Sequence, residues 1–483
     1  MIAINPLDKT NGKIPNFAMV YFLFFLTCLG LGIYLENVII TAIPFLIFGV
    51  ILAFFRFDLL YYILIISIPL SITIDFSKSL STDFPTEFLS IGLTLIFWIY
   101  WIIHRPKELT PIWNSKIFWI IILMLGWSVF STIFAVNKLI ALKYCLAKTW
   151  YITSYIVFTF WIVKDLNALK KLFWMIFLPT TVTVIYSFVR TYLGEFSFED
   201  TNQYSLPFFD NHVTYATTMS IVLPWIFWAR SWYPKGSVLR WFLTISIPFY
   251  LIAIYFSYTR ACYLALIVGA AVIVLLYYRK LVITYCLVVV MAISILFYFS
   301  DQYFYLRLAP DYNTTVMHDE FKDHLISTFY GKDVSSMERL NMWVSVFRMY
   351  QKRPIVGYGP NNFPSNYKPY GVLYFKTWVS DNPLNLSCHN YFWLLLAEQG
   401  VIGSLMFVFF IGFLLYSCQK LYNNSKDESS KQIAKIIAAT LGIFCVILFF
   451  NDMVETSKNG SLFFINIAIL IRLMSKSNSS QNE

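Results

Sequence analysis

The feature that most constrains this chain is a succession of roughly fourteen apolar runs, each close to the length that crosses a bilayer. A helix needs about 17–25 such residues to span the hydrocarbon layer. The runs fall at 17–34, 38–55, 59–75, 87–104, 117–135, 149–163, 172–190, 213–229, 241–257, 261–278, 281–299, 401–418, 436–451 and 460–472. Only 13% of the 483 residues are charged, about half the share that a water-facing domain carries. In lipid every backbone polar group must be satisfied within its own segment, which leaves a bundle of helices as the solution. The expected fold is all-α, a polytopic helical membrane protein with about 12–14 transmembrane helices and a large extracytoplasmic helical loop.

Lys and Arg set the orientation, because they are retained in the cytoplasm. An inside N-terminus puts Arg105 to Lys107, Lys164 to Lys171, Arg230 to Arg240, Arg279–Lys280 and Lys420 to Lys435 on the cytoplasmic side, with about 20 of the 36 basic residues there. The opposite connection from Gly194 to His212 carries Glu195, Glu199, Asp200 and Asp210 and no Lys or Arg. Both termini are then cytoplasmic. The formal charge of +10 reads as a topogenic signal, so no nucleic-acid partner is expected. The polar leader before the first run lacks a small-residue cleavage site, so no signal peptide is expected. Seven scattered cysteines show no CxxC or zinc spacing, so neither a disulfide framework nor a metal is expected.

The expected organisation is one integrated membrane domain. It has N-terminal helices over 1–300, an extracytoplasmic catalytic loop over 301–389, and C-terminal helices with a cytoplasmic tail over 390–483. A loop this long inside a compact protein is usually functional. Ser335 and Glu338 form a capping-box pattern. The helix that follows should carry Leu340, Trp343, Val344, Phe347 and Tyr350 on one face, until Pro354 ends it. A second helix is predicted from Ser387 to near Gly400. Arg339 and His389 then fall in the first turns of their helices, where the dipole favours anions and keeps a histidine neutral. Arg260 occupies a tight outer turn, and an ionisable group at membrane depth is a candidate functional residue; the bland alternative is an arginine snorkelling to headgroups.

Arg339-Leu-Asn-Met-Trp343, Pro354-Ile-Val-Gly357-Tyr-Gly359-Pro360-Asn-Asn-Phe363, His389-Asn390 and Glu398-Gln-Gly400-Val-Ile-Gly403 resemble, in order and spacing, the O-antigen ligase and polymerase superfamily of bacterial envelope enzymes. The resemblance covers roughly 240–420, and Arg260 is similar to that family's tight-turn arginine. It implies an inverting, metal- and cofactor-independent transferase in the bacterial inner membrane. Its donor would be an undecaprenyl-diphosphate-linked glycan and its acceptor the lipid A core or a nascent glycan, at an extracytoplasmic active site. His389 would be the general base, with Arg260 and Arg339 holding the diphosphate. Asn390, Lys143 and Lys148 are further substrate-binding candidates, the lysines because they lie outside against the charge rule, where they could attract lipid or diphosphate anions.

The stretch from Val316 to Leu325, with His318, Asp319, Glu320, Asp323 and His324, reads as a solvated helix face rather than a metal site. Cys388 and His389, as helix neighbours, would point apart and form no dyad. An O-antigen ligase is the leading reading. A polymerase and a protein O-oligosaccharyltransferase share its donor chemistry. A lipid-linked glycan transporter is the alternative from another class, but it would show repeated halves and ionisable groups near mid-membrane.

Overall fold

The computed structural model describes residues 16–35, scattered positions between 40 and 49, and residues 56–77, 80–300, 334–372 and 387–479. Contacts group the chain into two compact units, Met1–Ile63 and Leu64–Glu483. The first contains helix α1 (Asn16–Tyr34), whose Tyr21 hydroxyl donates to the Pro44 carbonyl at 2.6 Å. Helix α2 (Phe57–Leu70) crosses the boundary.

The larger unit is a multi-pass helical bundle. It comprises α3 (Thr86–His104), α4 (Lys116–Ile133), α5 (Lys138–Tyr151) running through a π turn into α6 (Phe158–Ile162), and α7 (Leu166–Leu193). The short α8 (Thr201–Ser205) precedes α9 (His212–Ala229), α10 (Val238–Tyr255), α11 (Arg260–Tyr277) and α12 (Leu281–Ser300). After α13 (Val334–Lys352) come α14 (Tyr391–Asn424), α15 (Glu428–Phe450) and α16 (Ser457–Ser479). Eight of these helices are long and apolar enough to cross a membrane.

Most apolar runs coincide with helices, which begin where a polar side chain accepts from a free backbone amide. Asp165, Asn211, Ser237, Asn390 and Asp427 cap α7, α9, α10, α14 and α15 in this way. Three boundaries differ. The run 59–75 is helical only to Leu70, and Ile72–Ser77 then pairs antiparallel with Leu80–Phe84 as strands β1 and β2. The β-branched Ile72-Thr73-Ile74 favours a strand over helix. The run 149–163 is the end of a helical stretch that starts at Lys138. The run 401–418 belongs to one long element that starts at Tyr391 and breaks at Gly400.

The core is built from the C-terminal helices: 72% of the apolar window of α15 and 67% of that of α16 are buried, against 28% for α3, α4 and α11. Without a hydrophobic drive between helices in lipid, small residues and hydrogen bonds set the packing. A Cβ on Gly269 of α11 would come within 2.8 Å of Ile443, and one on Gly442 of α15 within 2.7 Å of Val272. These two helices therefore approach closely; Arg260 stands at the N-terminal end of one and Asn451 at the C-terminal end of the other. Trp225 donates to Asn466 at 3.1 Å and Thr218 to Asn459 at 2.9 Å, tying α9 to α16. Lys458 is buried and donates to the Ile68 and Ser71 carbonyls and the Ser71 hydroxyl at 2.6–3.1 Å.

The segment after α13 docks on the break in α14. Tyr358 N–H donates to Ala397 O at 3.0 Å, Gly359 N–H to Glu398 O at 2.8 Å, and Val401 N–H to Pro354 O at 2.8 Å. The buried Glu398 carboxylate accepts from the amides of Asn361 (2.8 Å) and Phe363 (3.0 Å). Gly400 has φ 70° and ψ −172°, a region open essentially to glycine alone. A Cβ there would lie 2.0 Å from Ile355 O. Gly400→Ala should therefore lower stability by at least about 1–3 kcal/mol from backbone strain alone; thermal unfolding in detergent, with Gly30→Ala in an open position as the control, checks this.

Candidate functional site

Arg260 is the first residue of α11, and Thr259, immediately before it, is the N-cap. The turn is held by Tyr258, which adopts φ 53° and whose hydroxyl donates to Phe196 O at 2.7 Å. Thr259 Oγ1 donates to the backbone carbonyl of His212 at 3.4 Å, so the N-terminal ends of α11 and α9 meet.

Arg339 is placed differently from its sequence expectation. Helix α13 begins at Val334, one residue before the predicted cap, so Arg339 lies in its second turn and owes nothing to the free amides of the first. Of the expected apolar stripe, Val344 is buried and Leu340, Trp343, Phe347 and Tyr350 are half-buried, while Met342, Ser345, Val346 and Met349 are buried beside it. Two of the aromatics reach toward α14 and the residues before it: the Phe347 and Trp393 rings are 4.4 Å apart, and Trp343 Nε1 donates to Cys388 O at 3.0 Å. Trp343 is one helical turn from Arg339 on the same face, which brings Arg339 beside the segment carrying His389. Arg348 and Arg353, by contrast, hold backbone carbonyls of Tyr370, Gly371 and Phe134.

His389 stands outside its helix, one residue before the cap Asn390, with φ 54°. Its amide donates to Ser387 Oγ at 3.3 Å, and its ring is hydrogen-bonded by the Asn451 side chain. Burial, then the Arg339 charge, pushes its pKa down to about 4, with the Asn451 bond favouring the charged form in partial compensation. The histidine is neutral, as the sequence led us to expect, but burial and an arginine hold it so rather than a helix dipole. Cys388 is fully buried, donates to Asn390 O at 3.2 Å, and has its thiol pushed well up by burial. Asn390 is also fully buried; its Oδ1 accepts from Trp393 N–H at 3.1 Å, and its Nδ2 has no protein acceptor among the described residues.

The structure adds two residues that the sequence reading missed. Asn451 is the C-cap of α15. His212 opens α9, just outside its apolar run, and its pKa is pushed down to about 4 by burial and then by the charges of Arg260 and Arg339. Arg260, His212, Arg339 and His389 are thus linked in one electrostatic neighbourhood, and each is half-buried. The clue to His212 was Asn211–His212 at the head of an apolar run, a cap-plus-histidine pairing like His389–Asn390.

Lys148 pairs with Glu455 at 2.9 Å, and Glu455 also accepts from the hydroxyls of Tyr391 (2.6 Å) and Tyr144 (3.1 Å). This network borders a largely apolar cavity of about 60 Å³ between α4, α5, α14 and α16. Lys143 is exposed on α5. The His318–His324 stretch lies outside the described residues.

Both histidines bind fewer protons in the folded than in the unfolded protein between their unfolded pKa, near 6.5, and about 4. Their stabilising contribution is therefore full above pH 6.5 and is lost as pH falls through that window. The detergent-solubilised protein should lose thermal stability from pH 6.5 to 4, and His212→Gln with His389→Gln should flatten the profile; an unchanged slope would exclude these two groups as its source.

Residues 243–408 match the protein family described as O-antigen ligase. That stretch contains Arg260, Arg339, His389, Asn390 and the Gly400 break; His212, Asn451, Lys143 and Lys148 fall outside it. No curated protein matches the chain.

Proposed function

From a multi-pass membrane chain whose residues 243–408 match the O-antigen ligase family, we propose that this protein moves a glycan from an undecaprenyl-diphosphate carrier to a hydroxyl of the lipid A core. The reaction takes place with inversion, on the outer face of the inner membrane. The observation that carries this reading is the pair Arg260 and Arg339, whose fields meet at His212 and of which Arg339 also reaches His389.

The acceptor oxygen attacks the anomeric carbon. The bond from that carbon to the diphosphate oxygen breaks, and its electron pair leaves with the diphosphate. Negative charge grows on the leaving group, where a guanidinium offers forked, charge-assisted hydrogen bonds and stays protonated. Charge stabilisation by groups already in place is usually the largest contribution to such catalysis. The acceptor proton passes to the His389 ring, which the Asn451 bond orients. In the empty site His389 is a weak base partly because Arg339 stands beside it. A bound diphosphate offsets that positive charge, so His389 becomes more basic when the donor is present.

Lys148, already neutralised by Glu455 beside the apolar cavity, and the exposed Lys143 are assigned to lipid contact rather than to the diphosphate. Asn390 supports the His389 turn and keeps one unused donor beside it.

The test is transfer from purified undecaprenyl-diphosphate glycan to defined acceptors without added metal. His389→Ala should lower kcat by about 10²–10⁴-fold, and Arg260→Ala and Arg339→Lys should weaken donor use. Product on lipid A core supports the ligase, whereas longer carrier-linked glycan makes the protein a polymerase. A folded His389→Ala protein that transfers at the wild-type rate removes the base assignment.

A further inference from the structure

The second histidine of the cluster has a defined chemical face. Asn202 Oδ1 lies 3.3 Å from the backbone N–H of His212 and 2.6 Å from its Nδ1. The backbone amide can only donate, so the Asn202 atom that meets it is the carbonyl oxygen and not the NH₂ group. That oxygen can only accept, so Nδ1 of His212 must carry the proton. In the neutral ring, Nε2 is then a bare acceptor. Nε2 makes no hydrogen bond among the described residues.

Its position limits what it can accept from. Arg260 acts on His212 more strongly than Arg339 does, and the His212 carbonyl is tied to Thr259, the residue before Arg260. Phosphate oxygens are acceptors and gain nothing from a second acceptor. The ligand that suits this corner is an anion held by guanidiniums with an O–H or N–H donor close by. In a glycosyl diphosphate, that donor is the hydroxyl or acylamino group on the sugar carbon next to the anomeric centre. His389, by contrast, is oriented by Asn451 at the outer end of α15, and so belongs to a different wall of the site.

We propose that His212 reads the first sugar of the donor glycan, with Nε2 accepting a hydrogen bond from the substituent at the sugar's second carbon. This rests on the donor assigned above and goes further: it gives the two histidines different substrates to face. His212 is a specificity-determining residue, and Asn202 positions it by fixing its tautomer.

The experiment is equilibrium binding to the purified full-length protein of three ligands: undecaprenyl diphosphate, its monosaccharide-bearing form, and the 2-deoxy counterpart of that form. Wild type should hold the complete glycosyl diphosphate more tightly than the 2-deoxy ligand. His212→Ala should weaken the complete ligand on the order of tenfold, the worth of one or two hydrogen bonds, and leave the 2-deoxy and sugar-free ligands unchanged. His212→Gln, which keeps an acceptor, should restore part of the difference, and Asn202→Ala should lose part of it. Size-exclusion profile and Tm establish that each variant is folded. Equal loss on all three ligands would make His212 structural, and no loss on any would remove it from the site; either overturns the proposal while leaving the donor assignment intact. Failure of wild type to bind any diphosphate overturns both.

Discussion

Deep in the larger unit, the Glu398 carboxylate accepts from two backbone amides of the segment that follows α13, while the backbone beside it trades hydrogen bonds with the same segment. A helix that breaks among apolar neighbours exposes amides and carbonyls that cost several kcal/mol each if left unmet. Here the break at Gly400 is met by Pro354, Tyr358 and Gly359. Ser131 of α4 adds a hydrogen bond to Val356 O at 2.7 Å. The seam therefore joins the end of α13 to the start of α14. Arg339 and His389 are carried on the two elements that it joins, so their spacing is set by backbone bonds rather than by flexible side chains.

Around that seam the N-terminal ends of three helices carry the candidate residues: Arg260 and His212 as first residues of α11 and α9, and His389 just before α14. Helix N-termini and guanidiniums both favour anions. Burial first, and then the arginine charges, suppress protonation of the two imidazoles, leaving lone pairs available near fixed positive charge. Close packing of α11 on α15 at Gly269 and Gly442 then brings the arginine end of one helix level with the Asn451 end of the other. Lipid-facing residues such as Ile267, 67% exposed, show how little of α11 besides this interface is free to serve the site.

Much of this was legible in the sequence. Apolar run length located nearly all the helices, because a bilayer imposes it regardless of tertiary detail. Glycines in Gly357-Tyr358-Gly359 and at Gly400 marked turns, and the structure gives each a positive φ. Arg260, Arg339 and His389 stood out as chemistry, but their relation to one another depended on packing that no local pattern contains. His212 was passed over for that reason, since the acidic residues before it drew the reading toward charge. The capping-box pattern placed the start of α13 two residues late, which put Arg339 in the first turn rather than the second. The start of β1 was hidden at the end of the run 59–75, whose hydropathy alone could not tell strand from helix.

Lys458 reaches from the start of α16 to the carbonyls that end α2, almost the whole length of the chain away. The same last helix provides Asn459 and Asn466 to Thr218 and Trp225 of α9. A chain cut before residue 457 would therefore hold every residue of the arginine–histidine cluster, yet the carbonyls at the end of α2 and the polar side chains of α9 would lose the partners that α16 supplies.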